Sequence, residues 1–416
     1  MNSPADPHPQ FHDASIIQIP RLLTPGPVPV PPEVLEILAR PIEHHRTPEF
    51  LKVFRNLLKL LPRVFGTSQP AFVQTCTGSG GMESLMVNVL SPGDRVGVIV
   101  SGKFGERWAE MAQAYGAIVR RFEVPWGESV DPVQLEAWLR AEEPLHILMS
   151  QVCETSTGAL HPVREIVQLS RARHSDTLVL LDAITALGAL SLPMDEWDID
   201  GMVGGSQKAF MLPTGLALLA WSERAWKKIP QARAPRSYFD IRAERAANQK
   251  GESHFSSPVP LLRALEYILS RIEAAGAPHW QYRIAGLSLA TRSALPHLGL
   301  KVFPRVPSPT LTAITVPEGI DGQKWREKLE VDYGLILMGG QDQLKGRVLR
   351  IGHMGYIRDE DLLAAIAGLA DSLESLRPGS VAPEQRAEAL RVAQSVLTQH
   401  PFVLASHTSS ETEGLR

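Results

Sequence analysis

Four short stretches place reactive side chains where an apolar run ends. In Gly204-Gly205-Ser206-Gln207-Lys208-Ala209-Phe210 one lysine stands among small and apolar neighbours. A lysine on a tight turn needs no further role, but one held in a pocket can attack a carbonyl carbon. Upstream, Thr177-Leu178-Val179-Leu180-Leu181-Asp182 ends an apolar run on a carboxylate. That carboxylate either caps the next helix or, if buried, needs a partner such as a protonated ring nitrogen. Thr77-Gly78-Ser79-Gly80-Gly81 follows the apolar run AFVQTC and leads into a helical pattern. Free backbone N–H groups, hydroxyls and the positive end of a helix dipole suit a phosphate there. No Gly-Lys-Ser/Thr follows, and a G-x-G-x-x-G count from Gly78 fails at Glu83, so neither a Walker loop nor a dinucleotide fingerprint is present. Glu154-Thr155-Ser156-Thr157-Gly158 follows HILMSQV and sets a hydroxyl cluster at another run's end, which by itself reads equally as a cap or turn.

A phosphate cup, a carboxylate for a pyridine nitrogen, a hydroxyl for a ring oxygen and a lysine for a Schiff base are the needs of pyridoxal 5′-phosphate. Each stretch has a bland explanation alone. Their joint occurrence at strand ends does not.

Positioning them requires a particular scaffold. AFVQTC, DRVGVIV, AIVRRFEV, HILMSQV, TLVLLDAI, GMVGG and LALLAWS read as strands, with helical segments between them such as GERWAEMAQAYG and DPVQLEAWLRAEE. This alternation predicts an α/β fold with a mostly parallel, seven-stranded sheet between helices, and ligands bind at the carboxyl ends of such strands. From about residue 284 the texture shifts to KVFPRV, LTAITV and RVLRIGHMG with the helical GQKWREKLEVDYG and DEDLLAAIAGLADSLESL, a smaller α+β unit. The expected division is a disordered tail over 1–20, a large cofactor-binding domain over 21–283, a small domain over 284–380, and a last helix with a polar tail over 381–416.

The 416 residues exceed what one core organises, and 44% hydrophobic with 21% charged residues is an ordinary globular balance. With 42 basic against 45 acidic residues the chain has no electrostatic footprint for nucleic acid. No apolar run reaches membrane-spanning length and the start has no signal-peptide pattern, so a soluble cytoplasmic protein is expected. The two cysteines, Cys76 and Cys153, lie far apart in sequence and read as small hydrophobes rather than as a disulfide or metal set.

The chain also resembles the class V (fold-type I) aminotransferases, in the alanine/serine–glyoxylate branch. The resemblance rests on LLTPGPVPVPPEV, HRTPEF, TGSGGMES, NVLSPGD, ETSTG, LLDAITALG, GSQKA and GRVLRIGHMG, and spans most of the chain. It implies that Lys208 carries the cofactor and moves the proton, that Asp182 pairs with the pyridine nitrogen, and that Thr77, Gly78, Ser79 and Gln207 hold the phosphate. It implies further that Thr155 meets the ring oxygen, that Phe104 stacks on the ring with Ile184 on its other face, and that Arg350 and Gly26 line the substrate's place. Members are homodimers with shared sites, which gives Ser256, in SHFSSPVPLL, a cross-subunit role. Ser253 stands where some relatives have tyrosine.

The activity so implied is transfer of an amino group from alanine or serine to glyoxylate or pyruvate. A 2-aminoethylphosphonate transaminase, another class V enzyme, or a non-catalytic subunit on the same fold are the alternatives. His44-His45 is an adjacent pair and reads as scaffold rather than metal ligand; Arg46 reads either as scaffold or as a clamp for a second acidic group. Metal ligands are not expected.

Overall fold

The computed structural model describes residues 20–401, so the expected N-terminal disorder and the C-terminal polar tail lie outside the described residues. Its centre is a seven-stranded sheet: β1 (Ala71–Thr75), β2 (Arg95–Val100), β3 (Ile118–Glu123), β4 (Ile147–Gln151), β5 (Leu178–Asp182), β6 (Gly201–Gly205) and β7 (Leu216–Trp221). The order is β1-β7-β6-β5-β4-β2-β3, and only β7 runs against its neighbours. The central strands are buried along their whole length, as expected where helices cover both faces. β3 is an edge strand, and Arg120 and Arg121 keep it from pairing with a second sheet.

Helices Gly78–Val87, Lys103–Ala114, Pro132–Ala141 and Val163–Arg173 connect the parallel strands. Two long helices that a motif-led reading does not name, Pro48–Phe65 and Val259–Ala275, cover one face. The first buries Phe50, Phe54, Leu57, Leu61 and Phe65, a helical spacing, and ends on Gly66 in the left-handed region at φ 59°.

A second, antiparallel sheet joins Lys301–Val302, Leu311–Thr315, Val348–Gly352 and Met338–Gly339 in that order. Of the predicted strand KVFPRV, Lys301 and Val302 form the strand and Phe303 N–H still donates to Ala313 O at 2.8 Å, after which Pro304, with no N–H, ends the ladder. Trp325, Leu329, Ile351, Leu362, Ile366 and Leu369 form the core beneath this sheet, with Leu397 of helix Pro383–Gln399. Arg21–Leu22 pairs in parallel with Leu335–Ile336, and Gly352 N–H donates to Leu23 O at 2.8 Å. The N-terminal segment is thereby docked on the second unit before Thr24-Pro25-Gly26 crosses to Lys208.

Candidate active site

Most of the candidate groups lie at the carboxyl ends of β1, β2, β4, β5 and β6, joined by Gly26 of the N-terminal segment and Arg350 of the second sheet. Lys208, three residues past β6, is buried and donates from Nζ to Pro25 O at 2.7 Å. A Cβ on Gly26 would lie 2.5 Å from that Nζ, and Gly26 has φ +136°, so only glycine suits both the backbone and the contact. Burial pushes the ammonium down to about 8, with Arg350 adding to the effect and Asp182 opposing it.

Asp182 ends β5 and is buried. Its Oδ1 accepts from Ile184 N–H at 2.9 Å, and it has no ion pair among the described residues. Burial lifts its carboxyl to about 7 against the pull of that hydrogen bond, while Glu154 adds repulsion and Lys208 and Arg107 favour the charged form. Ile184 reaches the phosphate turn: a Cβ on Gly78 would sit 2.7 Å from its Cδ1.

Thr77 caps helix Gly78–Val87, its hydroxyl accepting from Gly80 N–H at 3.4 Å, and the first amides of that helix lack intrahelical partners. Arg107 Nη1 donates to Ser79 Oγ at 2.9 Å, and the same guanidinium lies 4.9 Å from the centre of the Phe104 ring. Thr155 Oγ1 shares a 2.6 Å hydrogen bond with Thr185 Oγ1. Arg350, in the middle of Val348–Gly352, is buried and donates from Nη1 to Thr155 O at 2.8 Å and from Nε and Nη2 to Gly339 O at 3.1 and 2.7 Å. It therefore joins the second sheet to the end of β4, and burial lowers it to about 10.

The other named residues fall elsewhere. Ser256 is exposed on the loop before helix Val259–Ala275. Ser253 donates to Phe255 O at 2.8 Å, so its hydroxyl serves the loop itself. Arg46 holds that loop, through Glu252 at 3.0 Å and Ser253 O at 2.7 Å. The His44 and His45 rings lie 4.3 Å apart, and among the described residues no group of three or more His, Cys, Asp or Glu is placed to hold a metal ion. Cys153 is buried, and burial keeps its thiol protonated by pushing it to about 11. Cys76 is half-buried, with its side chain against Gly80.

Three groups escaped the motif reading. Arg107 follows Phe104 by three positions and so returns to the same helix face. Thr185 is hidden in LLDAITALG. Glu154 closes an apolar run on a carboxylate just as Asp182 does, and the reasoning applied to Asp182 would have singled it out.

The sequence profile described as Aminotransferase class-V matches residues 39–352. The chain belongs to the class-V aminotransferases. Among its relatives, the serine–glyoxylate aminotransferase of Methylorubrum extorquens is 33% identical over 92% of this chain and 97% of its own length. A Synechococcus protein named as the small subunit of a soluble hydrogenase is 36% identical over 85% of this chain and 93% of its own. The crystal structure of an alanine–glyoxylate aminotransferase from Nostoc superposes with a TM-score of 0.82 at 30% identity, over 87% of this chain and 97% of that one. No described helix is long and apolar enough to cross a membrane.

The family's cofactor is pyridoxal 5′-phosphate, and the residues present fit it. The Asp182 carboxylate is buried without a cation, as it would be if a protonated ring nitrogen completed it. Gln207 ends in a buried carboxamide oxygen with no partner among the described residues, next to Lys208. Gly26, Gly78 and Gly205 each lie so close to a site side chain that a Cβ would come within 2.9 Å of it.

Proposed function

We propose that this chain moves the amino group of a small amino acid, alanine or serine, to glyoxylate or pyruvate. The observation that carries the reading is the convergence of three buried ionisable groups, Lys208, Asp182 and Arg350, with Lys208 lowered by burial and by Arg350 and sustained by Asp182. The names of the relatives support the substrate class, since the Methylorubrum and Nostoc proteins are both named for glyoxylate. The hydrogenase name finds no support in the site, whose Lys208 and Asp182 are in place.

When bound, pyridoxal phosphate supplies the carbon that takes the amino group and a ring that holds the electron pair freed at the substrate Cα. The chain's own residues do the rest. Lys208, brought down to about 8 by burial, has an appreciable neutral fraction near neutral pH, so Nζ would be able to take the proton from the substrate Cα and pass it on to the carbon that takes the amino group. Asp182, as a carboxylate, would keep a proton on the ring nitrogen by hydrogen bonding to it. Thr77, Gly78, Ser79 and Gln207 would hold the phosphate, the helix N-terminus supplying N–H groups. Thr155 would meet the ring oxygen, and Phe104 and Ile184 would flank the ring. Arg350 suits an α-carboxylate because its planar fork makes two parallel hydrogen bonds. Gly26 leaves little room beside Lys208, which favours small side chains at that wall.

The same reading places the protein in the cytoplasm as a homodimer, with 21–283 and 284–380 as its large and small domains. Tyr238 and Phe255, stacked at 4.8 Å and 45% and 41% exposed, give an apolar surface beside Ser256 that suits a second copy. Ser256 then serves the partner's phosphate.

A screen of amino donors against 2-oxo acceptors, with purified protein loaded with cofactor, tests the reading. L-alanine or L-serine alone should bleach the cofactor's visible absorption, and glyoxylate or pyruvate should restore it. An absorption unmoved by every donor would sink the proposal.

A further inference from the structure

Helix Lys103–Ala114 carries Phe104 and Arg107, yet its own N-cap residue, Gly102, has no side chain with which to cap it. The first amides of a helix need partners when buried. They find them on another strand's end. Lys103 N–H donates to Ser156 Oγ at 3.1 Å, Phe104 N–H to Glu154 Oε2 at 3.1 Å, and Gly105 N–H to the same oxygen at 3.1 Å. Glu154 Oε1 meanwhile accepts from Ser156 N–H at 3.1 Å and Ser156 Oγ at 2.6 Å.

Glu154 is fully buried. Burial pushes its carboxyl up, but every group around its two oxygens is a donor and the positive end of the helix dipole points at it, both of which favour the ionised carboxylate. Gly102 is packed against it: a Cβ there would lie 2.5 Å from Glu154 Cγ. The carboxylate, the helix start and the glycine are thus fitted to one another, with no freedom for the first turn to rotate.

We propose that Glu154 is a positioning residue for the cofactor ring: by capping helix Lys103–Ala114 from the end of β4 it sets the plane of Phe104 and the reach of Arg107. Its neighbour Thr155 faces Thr185 and accepts from Arg350. One dipeptide therefore fixes the stacking ring, the ring-oxygen hydroxyl and the substrate arginine in a common frame. This inference rests on the proposed function, in that Phe104 is taken to stack on pyridoxal phosphate.

Glu154→Gln tests it. Whichever oxygen becomes an NH₂, a donor then faces donors, at nearly unchanged volume. In the cofactor-free full chain, hydrogen exchange at Phe104 and Gly105 should quicken by ~10-fold or more, from the loss of about 1.4 kcal/mol at a charged cap. With pyridoxal phosphate added, the dissociation constant should rise by a similar factor and the visible circular dichroism of the bound cofactor should shrink, because the ring is no longer held at one tilt. A residue serving stability alone would lower the melting temperature and leave that dichroism as in the wild type, which would overturn the inference. Should Glu154→Gln not fold, Ser156→Ala removes one capping hydroxyl and should show the same changes in smaller measure; unaltered exchange, affinity and dichroism in that variant would overturn it equally. Failure of the wild-type chain to bind pyridoxal phosphate would instead strike at the proposed function, and the exchange data would still report on the cap.

Discussion

Gly26 and Lys208 are in contact across the join between the N-terminal segment and the central sheet: Nζ donates to the carbonyl of Pro25, and a single methyl on Gly26 would collide with it. The amine proposed to react is thus held by a stretch of backbone far from it in sequence. Gly26→Ala is expected to fold, with a penalty of about 1 kcal/mol or more from its backbone angle. It should also lose most of its turnover, because the amine is displaced. Steady-state kinetics beside a melting curve will separate the two effects; full activity would show that the contact has no part in aiming the lysine.

Lys208→Ala should abolish turnover and the visible absorption of bound cofactor together. The far-ultraviolet dichroism should be retained, since among the described residues the side chain closes no salt bridge and gives a hydrogen bond only to Pro25 O. Removing a buried amine relieves its desolvation, so the cofactor-free variant is expected to melt no lower than the wild type. A variant that still turns over substrate would remove Lys208 from the chemistry.

Asp182 gives a signed pH dependence. In the cofactor-free chain its carboxyl lies at about 7, above the ordinary 3.8, because of burial. The protonated form therefore stabilises the fold below pH 3.8, and this contribution is lost as pH rises through 7. Asp182→Asn cannot ionise, so the melting temperature of the variant should gain on that of the wild type across this window and level off above it. In the loaded enzyme the same substitution should cut kcat by about 10²–10³, as expected on removing one preorganised electrostatic partner. Parallel melting curves from pH 4 to 8 would contradict the burial argument.

Arg350→Ala removes the proposed carboxylate fork. A loss of about 2 kcal/mol or more, roughly 30-fold in kcat/KM for L-alanine, is expected. Activity towards 2-aminoethylphosphonate, which has no α-carboxylate, should fall far less. Equal losses on both substrates would mean that Arg350 acts through its bonds to Thr155 O and Gly339 O instead.

Arg46 is tied to Glu252 and to Ser253 O, on the loop that carries Phe255 and Ser256. Arg46→Ala should weaken self-association, seen as a smaller mass by light scattering at low concentration, without changing the ratio of L-aspartate to L-alanine turnover. A selective loss with L-aspartate would make Arg46 a clamp for a second carboxylate after all.

Much of the site was legible because strand ends are short-range features. Lys208, Asp182, Thr77 to Ser79 and Thr155 each follow an apolar run, and the period of those runs already implies the sheet that gathers them. Helix Pro48–Phe65 shows its spacing as clearly, though HRTPEF marks only its start. The sequence by itself determined the fold class and the family and singled out Lys208 as the candidate lysine, since these depend on residue type and local pattern. Only the tertiary structure decided what holds each group in place: Pro25 against Lys208, Thr155 against Arg350, Glu154 capping the helix of Phe104. Those pairs lie 50 to 195 positions apart. No local pattern encodes them, because a buried donor takes whichever acceptor the packing brings to it, and that is settled only when the whole chain closes.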